Sequence, residues 1–308
     1  MSRQRQVSLL LPASSANLGP AFDTAALALD LYLKVEARPA SQFKVTASGR
    51  DADLCQAADD HLILTTYRDL LHTHDLPVEP LSLKLINQIP IGKGCGSSAA
   101  ARLAGIALAV HFGRLGWDSA RIIAEAAARE HHPDNAAACW LGGFAIARMT
   151  GRDDVHAVAL TPRGRCPLLL AVPDDTLPTE QARRVLPVQY SRTDTVSNLQ
   201  NSLLLMAALI QGRRDLLPYA LHDHLHQPYR ASLCPLLPAL QELVGSAGIL
   251  GAVLSGAGPS VLLFLDGVTP LAKTRKHIGE HLRDHGLVAE LLPTGVATKG
   301  AAASFAAV

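Results

Sequence analysis

The sequence predicts an α+β fold, in which strands and helices occur in both halves of the chain without the regular alternation of βαβ units. Short apolar runs of strand length, bounded by Gly, Pro, Asn and Ser, are interspersed with segments that carry apolar residues at helical spacing. The 308 residues, 48% of them hydrophobic, are enough to fill one large core or two ordinary cores. We expect two domains, 1–165 and 166–308, with the boundary placed loosely between residues 151 and 173.

The elements of the first half follow from these two patterns in chain order. Runs with at least partial apolar alternation predict strands, and the second of these runs also fits a short helix. Segments with apolar residues every three or four positions predict helices. The predicted strands are 7–12, 25–35, 43–47, 81–89, 144–148 and 155–160, and the predicted helices are 61–74, 99–112 and 120–129.

The second half begins with a fully apolar strand at 168–172, bounded by Pro167 and Pro173. Two further apolar runs, 251–254 and 261–265, predict strands on either side of the turn S-G-A-G-P-S. Helical patterns predict the remaining elements, which are helices at 181–184, 195–210, 215–221 and 236–246.

Charge and composition exclude several classes of partner. The chain has 28 basic and 27 acidic residues, a formal net charge of +1, which gives no electrostatic case for a nucleic acid or an anionic membrane. No apolar run reaches the roughly 18–20 residues that span a bilayer. Five scattered cysteines without a C-x-x-C pair, and a polar N-terminus without a signal-peptide pattern, indicate reduced thiols in the cytoplasm. We therefore expect a small-molecule partner.

The segment 89–101, I-P-I-G-K-G-C-G-S-S-A-A-A, combines a glycine-spaced turn with the start of an alanine-rich helix. Its three glycines can take positive φ and let backbone amides approach a ligand, and the positive end of a helix favours an anion. The G-K-[ST] triplet of a Walker loop is absent. By itself the segment fits a phosphate-binding loop and an ordinary N-cap after a flexible turn equally well. Lys93 could reach a phosphate, but we expect it to point into water.

Three separated segments together resemble the signatures of the GHMP small-molecule kinases. They are 12–23 (P-A-S-S-A-N-L-G-P-A-F-D), the glycine loop 89–101, and 254–260 (L-S-G-A-G-P-S), in the family's order. Three more segments are similar to the homoserine kinase branch of that family: 130–135 (E-H-H-P-D-N), 179–187 (T-E-Q-A-R-R-V-L-P) and 222–230 (H-D-H-L-H-Q-P-Y-R).

The resemblance implies both a fold and a reaction. The fold is the two-domain GHMP kinase fold, with an N-terminal domain like domain 2 of ribosomal protein S5 and a C-terminal ferredoxin-like α/β sandwich. The reaction is transfer of the ATP γ-phosphoryl group to the side-chain hydroxyl of L-homoserine in threonine synthesis, with Mg²⁺. The alternatives are another small alcohol as substrate, or a catalytically silent ligand sensor of the same fold. The protein could also form a homodimer, a question that the sequence leaves open.

The resemblance also implies roles for the residues that bind nucleotide and metal. Ser98 and Glu130 are the expected Mg²⁺ contacts, a pair of hard oxygen ligands. His61 is expected near the adenine base, where the branch usually has Asn. The remaining ATP contacts are expected along the loop, at Pro90, Ile91, Gly92, Lys93, Gly94, Cys95, Gly96, Ser97, Ser98 and Ala99.

An amino-acid substrate needs partners for its carboxylate, its ammonium group and its hydroxyl. By resemblance, Arg183 and Arg230 bind the carboxylate and Asp23 the ammonium group. Asn17 and Asn135 could orient the hydroxyl or serve as turn residues, and His132 could contact the substrate or pack as a structural histidine. The residues expected at the reacting atoms are Asn135, Arg183 and Thr179.

No residue is an assured catalytic base. Asp134 follows Pro133, so its carboxylate fits a turn or a helix cap better than a base, and we expect the hydroxyl to lose its proton late, to the phosphate itself. Two further departures from the branch are Cys95 for Leu, and Ala21 for Gly, which requires a negative φ at that position. The cluster His222, His224 and His226 also suggests a metal site on a helical face, but its sequence context fits the kinase pattern better.

Overall fold

The computed structural model describes residues 6–56, 61–152 and 154–305, and these form two β-sheets with helices packed on them. The polar residues 1–5, on which the signal-peptide inference partly rested, lie outside the described residues. None of the helices in the described ranges is long and apolar enough to cross a membrane.

The first sheet has six strands in the order β3-β4-β2-β5-β6, with β1 paired to β2. The pair β3–β4 is parallel and the other pairs are antiparallel. Five helices lie among the described residues of this half of the chain. The strands are β1 Val7–Asn17, β2 Ala21–Pro39, β3 Lys44–Gly49, β4 Leu81–Asn87, β5 Phe144–Gly151 and β6 Asp154–Leu160, and the helices are α1 Ala52–Gln56, α2 Leu62–Thr73, α3 Ser97–Gly113, α4 Ser119–Glu130 and α5 Asp134–Leu141.

Helix α3 is central to this half and is buried over most of its length, because its many alanines let neighbouring elements approach closely. The contact with α2 is tightest at Gly105, where an added Cβ would lie 2.5 Å from the Ile63 carbonyl oxygen. Helix α3 also contacts α4, α5 and β1. This packing fixes the N-terminal end of α3, where the glycine loop leads into the helix.

The second sheet has four antiparallel strands in the order β10-β7-β9-β8. Within the range described up to residue 305, seven helices accompany this sheet, and the last of them packs against the first sheet. The strands are β7 Leu168–Val172, β8 Ile249–Leu254, β9 Val261–Leu265 and β10 Glu290–Thr294, and the helices are α6 Thr179–Arg184, α7 Arg192–Gln211, α8 Leu217–Ala220, α9 Gln227–Arg230, α10 Leu236–Gln241, α11 Leu271–Asp284 and α12 Ala301–Phe305.

The structure corrects three predictions about local elements. Segment 25–35 is a strand, part of the 19-residue β2, and not a short helix. The helix expected at 215–221 is split into a 3-10 turn and α8, because Pro218 has no amide to donate and starts a new helix. The helix expected at 236–246 ends at Gln241, and the chain then turns through Gly245, which has φ +87°, into β8.

Six elements had no strong sequence signal. Helix α11 buries only Thr274, Ile278 and Leu282, so its apolar stripe is narrow. Strand β10 contains Pro293, which is tolerated because β10 is an edge strand. The other elements that the patterns did not predict are α1, α5, α9 and α12.

One apolar core continues from the first sheet to the inner face of the second, and a smaller core lies beneath α10 and α11. Near the C-terminus the chain returns to the first sheet, where Val296 bridges to Leu29 and both Ala297 and Ala301 are buried. All strands of the first sheet precede residue 161, and all strands of the second follow residue 167. The division at 165/166 stays a prediction, because the core is continuous across it.

Candidate active site

The three glycine-containing segments, although far apart in sequence, contact one another. The backbone amide of Ser14 donates to the Cys95 carbonyl oxygen at 3.1 Å. The side-chain amide of Asn17 donates to the Gly256 carbonyl oxygen at 2.8 Å. The segments 12–23, 89–101 and 254–260 therefore form one continuous surface.

The glycines of the loop take the backbone conformation that the sequence predicted. Gly92, Gly94 and Gly96 have φ of +71°, +76° and +71°. A Cβ on Gly94 would lie 2.2 Å from the Ser255 carbonyl oxygen, and a Cβ on Gly96 would lie 2.0 Å from the Ser14 hydroxyl. Glycine is therefore required at both positions by conformation and by space.

The loop presents the open N-terminal end of α3. Gly96 is the N-cap residue, and no side chain caps the helix. The Ser98 hydroxyl instead donates to Glu130 Oε1 at 2.7 Å. The alternative of an ordinary serine N-cap is wrong, and the first amides and the positive end of the helix face the cavity beside the loop, where an anion is stabilised.

Lys93 does not point only into water, contrary to the expectation from the sequence. Its ammonium group donates to the backbone carbonyl oxygens of Asp174 and Asp175, the latter at 2.8 Å. These residues follow β7, so the lysine ties the glycine loop to the second half of the chain.

An apolar cavity of about 450 Å³ lies next to the loop. His61 borders it, and its Nε2 is 3.1 Å from the Cys55 carbonyl oxygen. Burial lowers the pKa of His61, so the imidazole is neutral and Nε2–H is the donor in this contact. The apolar lining suits a planar base, and the cavity is shared with the loop through Gly92, Ser97 and Ser98.

A smaller, polar cavity of about 120 Å³ adjoins the other side of the loop. The predicted substrate, metal and reacting-atom residues all line it, although they come from eight different elements or turns. These residues are Asn17, Asp23, Ser98, Glu130, His132, Asn135, Thr179, Arg183 and Arg230.

Asp23 and Arg183 are paired with each other. Arg183 Nη1 donates to Asp23 Oδ2 at 2.9 Å and Nη2 donates to Oδ1 at 2.7 Å. The two side chains are 32% and 35% exposed, so the pair remains open to a ligand. Asp23 has φ +53°, a left-handed conformation that turns the start of β2 toward the cavity.

Arg230 is 1% exposed and is held by two neighbours. Its Nε donates to the Ala182 carbonyl oxygen at 2.9 Å, and its Nη1 donates to Nδ1 of His226 at 3.0 Å. Burial and the charge of Arg183 lower the pKa of Arg230 to about 10, so it remains cationic at neutral pH. The guanidinium borders the cavity with donors to spare for an anionic group.

The ring of Phe22 lies beside both arginines, with the Arg183 and Arg230 guanidinium carbons 5.6 and 5.3 Å from its centroid. It also stacks on His226, at 5.2 Å and 23° between the rings. These are distances at which a cation is attracted to an aromatic face. Phe22 therefore positions the two cationic groups.

Asp134 organises the residues around Asn135. Its Oδ1 accepts from the Asn135 backbone amide at 2.7 Å and from His132 Nδ1 at 2.7 Å. Burial by itself lowers the pKa of His132, but the hydrogen bond and charge of Asp134 outweigh it, and the pKa is raised. Asp134 is the first residue of α5, after the N-cap residue Pro133, and is 1% exposed, so its hydrogen bonds favour a structural role at the helix start over that of a catalytic base.

The two asparagines differ in how much of the side chain is available to a ligand. Asn17 Oδ1 accepts from the Asp23 amide at 2.9 Å while its Nδ2 holds Gly256, so this side chain is committed to two backbone groups. Asn135 Oδ1 accepts from the Ser14 hydroxyl at 2.7 Å, but its Nδ2 makes only a 3.4 Å contact with Asp134. Asn135 is thus the better placed to donate to a ligand.

The Ser98 hydroxyl and the Glu130 carboxylate lie together beside the N-terminal end of α3. Arg102 Nε also donates to Glu130 Oε1, at 2.6 Å, and the Glu130 side chain is 13% exposed. A hydroxyl and a carboxylate 2.7 Å apart, beside an anion-binding loop, fit the hard oxygen ligands that Mg²⁺ prefers. Another group with metal-ligand spacing, Asp23, His132 and Asp134, is already engaged in the hydrogen bonds described above.

Four residues that contribute to this site were not predicted: Ser14, Phe22, Arg102 and His226. Ser14 and Phe22 lie within the segment 12–23, and Arg102 lies one turn after Ser98 on α3, so the motifs and helical spacing could have drawn attention to them. Apart from the contact of His226 with Arg230, their partners are distant in sequence, and no local pattern predicts those contacts.

The structure accommodates the other positions at which the sequence departs from the expected motifs. Cys95 is buried, and burial raises the pKa of its thiol to about 12. All five cysteines are free. Ala21 is not among the described residues with positive φ, as its side chain requires. The helical face suggested for His222 and His226 is wrong, because α9 begins only at Gln227, and both ring nitrogens of His226 are hydrogen-bonded, to Arg230 and to the Gly19 carbonyl oxygen.

Comparison with known proteins gives a consistent assignment. Residues 61–143 match the family described as GHMP kinases N terminal domain, and residues 205–283 match GHMP kinases C terminal. The chain is 45% identical over 258 residues to a homoserine kinase of Solibacter usitatus, covering 84% of each chain, and 35% identical over 286 residues to one of Deinococcus radiodurans, covering 93% of each.

The fold is confirmed by a solved structure. The crystal structure of homoserine kinase from Cytophaga hutchinsonii matches with a TM-score of 0.81 at 23% identity, over 97% of this chain and 98% of that one. The predicted α+β architecture of the two-domain GHMP kinase type is therefore correct. The chain belongs to the GHMP kinase family, among its homoserine kinase members.

Proposed function

We propose that the chain transfers the γ-phosphoryl group of ATP to the side-chain hydroxyl of L-homoserine, giving O-phospho-L-homoserine and ADP in threonine biosynthesis. The observation that carries this proposal is the arrangement of the polar cavity. Two arginines, a carboxylate and an asparagine amide line a small space directly beside the open end of α3 and the Ser98–Glu130 pair.

Two adjoining features support the position that we propose for the nucleotide. The base enters the apolar cavity bordered by His61, and the phosphates lie along the glycine loop with the γ-phosphate at the first amides of α3. Glycine backbone amides and the helix end stabilise the negative charge that spreads over the transferred group. We include Pro90 to Ala99 in this contact surface, with Lys93 holding the loop in place rather than touching phosphate.

The amino acid is held at both charged ends. Its carboxylate replaces Asp23 as the partner of Arg183 and also reaches Arg230, while its ammonium group takes the Asp23 carboxylate. Asn135 donates to the hydroxyl oxygen, and Thr179, at the start of α6, lies by the phosphoryl group. His132 and Asn17 line the same space and support its shape.

The chemical step needs positioning more than a strong base. The hydroxyl oxygen forms a bond to the γ-phosphorus, the bond from that phosphorus to the β,γ-bridging oxygen breaks, and ADP leaves with the electron pair. The hydroxyl proton passes late to an oxygen of the transferred group, since the Asp134 carboxylate is occupied by His132 and the Asn135 amide. Ser98 and Glu130 would hold Mg²⁺, which when bound neutralises charge on the phosphates.

A coupled assay of ADP formation with L-homoserine, mevalonate, galactose and shikimate tests the proposal. We expect turnover with homoserine alone. Activity confined to another alcohol would favour the related kinases, and tight homoserine binding with no ADP from any substrate would favour a silent sensor. The Ser98–Glu130 pair argues against the sensor, because a protein that only binds its ligand has no need of a metal pair. A homodimer and a cytoplasmic location stay predictions.

A further inference from the structure

A second group of ionisable side chains lies outside the active site, where α10 meets α11. Glu242 directly follows α10, while His281 lies on α11 and His285 is the C-cap residue of that helix. The two histidines are four residues apart and therefore lie on one face of the helix. Their ring centroids are 4.2 Å apart.

The three side chains bring their potential ligand atoms together. Glu242 Oε2 lies 3.5 Å from His281 Nε2 and 3.6 Å from His285 Nε2. One potential ligand atom from each of the three side chains lies within 4.8 Å of the others. Tetrahedral bonds of 2.0–2.2 Å to one ion separate neighbouring ligand atoms by roughly 3.4 Å. Both separations from the carboxylate oxygen are close to this value and are longer than a direct hydrogen bond.

The ring of His285 is already oriented as a ligand. Its Nδ1 lies 2.9 Å from the His281 carbonyl oxygen, which can only accept, so the proton of the neutral ring sits on Nδ1. Its Nε2 then lies 3.6 Å from Glu242 Oε2, an arrangement that a cation between the two atoms or a proton on Nε2 stabilises. Histidines that bind metals commonly donate their second ring nitrogen to a carbonyl oxygen in this way.

His281 needs one change to bind an ion. Its Nε2 is 2.8 Å from the Ala239 carbonyl oxygen, to which it donates without a metal. To bind a metal through Nε2, the neutral ring must carry its proton on Nδ1 instead and give up the hydrogen bond to Ala239, which is a change of tautomer. The side chains of His281, His285 and Glu242 are 19%, 40% and 60% exposed, so an ion can enter from solvent.

We propose that Glu242, His281 and His285 form a binding site for a divalent transition-metal ion of the Zn²⁺ class. Two imidazoles and one carboxylate suit zinc and exclude a preference for Mg²⁺ or Ca²⁺, and water would complete the coordination. None of the three residues lines the active-site cavity described above. The ion would join the end of α10 to the end of α11 and stabilise the second half of the chain.

The test is a calorimetric titration of Zn²⁺ into tag-free, chelator-treated full-length protein. The single variants H285Q, H281Q and E242Q each remove one ligand. H277Q is the matched control, because His277 lies one turn before His281 on the same helix and instead contacts the Ser246 hydroxyl at 3.1 Å. Circular dichroism verifies that each variant is folded, and ADP formation in excess Mg²⁺ without added Zn²⁺ should be unchanged in all four.

We expect the wild type and H277Q to bind one equivalent of Zn²⁺ with similar affinity. The three ligand variants should bind it at least about tenfold more weakly, because each has lost one of the three ligands. Zinc at ten times the dissociation constant should raise the Tm of the wild type by about 2–4 °C, and this rise should be absent in H285Q. If the wild type and all three ligand variants bind Zn²⁺ equally well, the ion binds elsewhere and the proposal is wrong. The absence of Zn²⁺ binding to the wild type would also overturn it.

Discussion

Arg183 donates two hydrogen bonds to Asp23, although the two side chains are 160 positions apart in the chain. The groups proposed to bind the two charged ends of an amino acid are thus hydrogen-bonded to each other. A zwitterion can replace this pair by offering a carboxylate to the arginine and an ammonium group to the aspartate. A ligand with only one of these charges would leave the other group without its partner, which is costly. We therefore expect the pair to select for amino acids.

Arg183→Lys should weaken use of homoserine, because an ammonium group cannot reproduce the two parallel hydrogen bonds of the guanidinium. We expect kcat/KM for homoserine to fall about 10- to 100-fold, with little change in KM for ATP. Steady-state kinetics measures both. The matched control is Arg184→Lys, since the neighbouring Arg184 is exposed and pairs with Glu180. Equal losses in the two variants would contradict the role of Arg183.

Ser98→Ala and Glu130→Gln should each lower turnover by about two orders of magnitude or more while the fold is retained. The reason is the loss of one oxygen ligand from the proposed Mg²⁺ pair. Glu130→Gln should also raise the Mg²⁺ concentration at half-maximal rate. Ser119→Ala, at the exposed start of α4, is the control. Unchanged turnover in Ser98→Ala would refute the metal assignment.

Asp134→Asn should reduce turnover only modestly, by less than about tenfold, because the amide oxygen can still accept from the Asn135 backbone. The variant should also remove the charge that raises the pKa of His132, which NMR titration of its ring can follow. Complete loss of turnover, with folding and substrate binding intact, would identify Asp134 as the catalytic base and contradict late proton transfer.

Lys93→Met tests whether the lysine positions the loop or binds phosphate. It removes two hydrogen bonds to the backbone after β7 and leaves the glycine amides in place. We expect KM for ATP to rise several-fold and kcat to fall less than about tenfold. A fall in kcat of about a thousandfold would instead indicate direct contact with the transferred group.

Acid should destabilise the protein through His226. Burial, together with the charge of Arg230, lowers its pKa from 6.5 to about 4, although Asp223 opposes this shift. Between these values the unfolded chain binds a proton that the folded chain does not. The contribution is therefore complete above the ordinary pKa and is lost as pH falls through this window, with an upper bound of about 3 kcal/mol.

The free energy of unfolding, measured by denaturant between pH 7 and pH 4.5, should decline less steeply in His226→Gln than in the wild type. The lower stability of this variant at pH 7 does not affect the comparison, because the slope is the observable. His224→Gln, whose ring is 40% exposed, is the control and should keep the wild-type slope. Parallel slopes in wild type and His226→Gln would show that His226 is not the titrating group.

The residues that form the site could be predicted from the sequence better than the contacts that those residues make. Glycine spacing predicted the backbone of the loop, because positive φ is a local property of Gly92, Gly94 and Gly96. The motifs also brought together the residues that line the polar cavity. Local patterns could not show that Lys93 reaches Asp175, since that contact depends on how the two sheets pack.

Elements with weak periodicity were predicted least well. Helix α11 buries a narrow stripe, and β10 carries a proline that only its edge position permits. The orientation of Phe22 beside two arginines likewise follows from tertiary packing. The cluster Glu242, His281 and His285 joins two helices that no sequence pattern connects.

The most direct test of the proposed reaction is ³¹P NMR of a mixture of the protein, Mg²⁺, ATP and L-homoserine. The account predicts that the γ-phosphate signal of ATP is replaced by ADP signals and one phosphomonoester signal, which coincides with that of added O-phospho-L-homoserine. Release of inorganic phosphate alone, or no consumption of ATP under conditions in which the protein is folded and binds nucleotide, would contradict it.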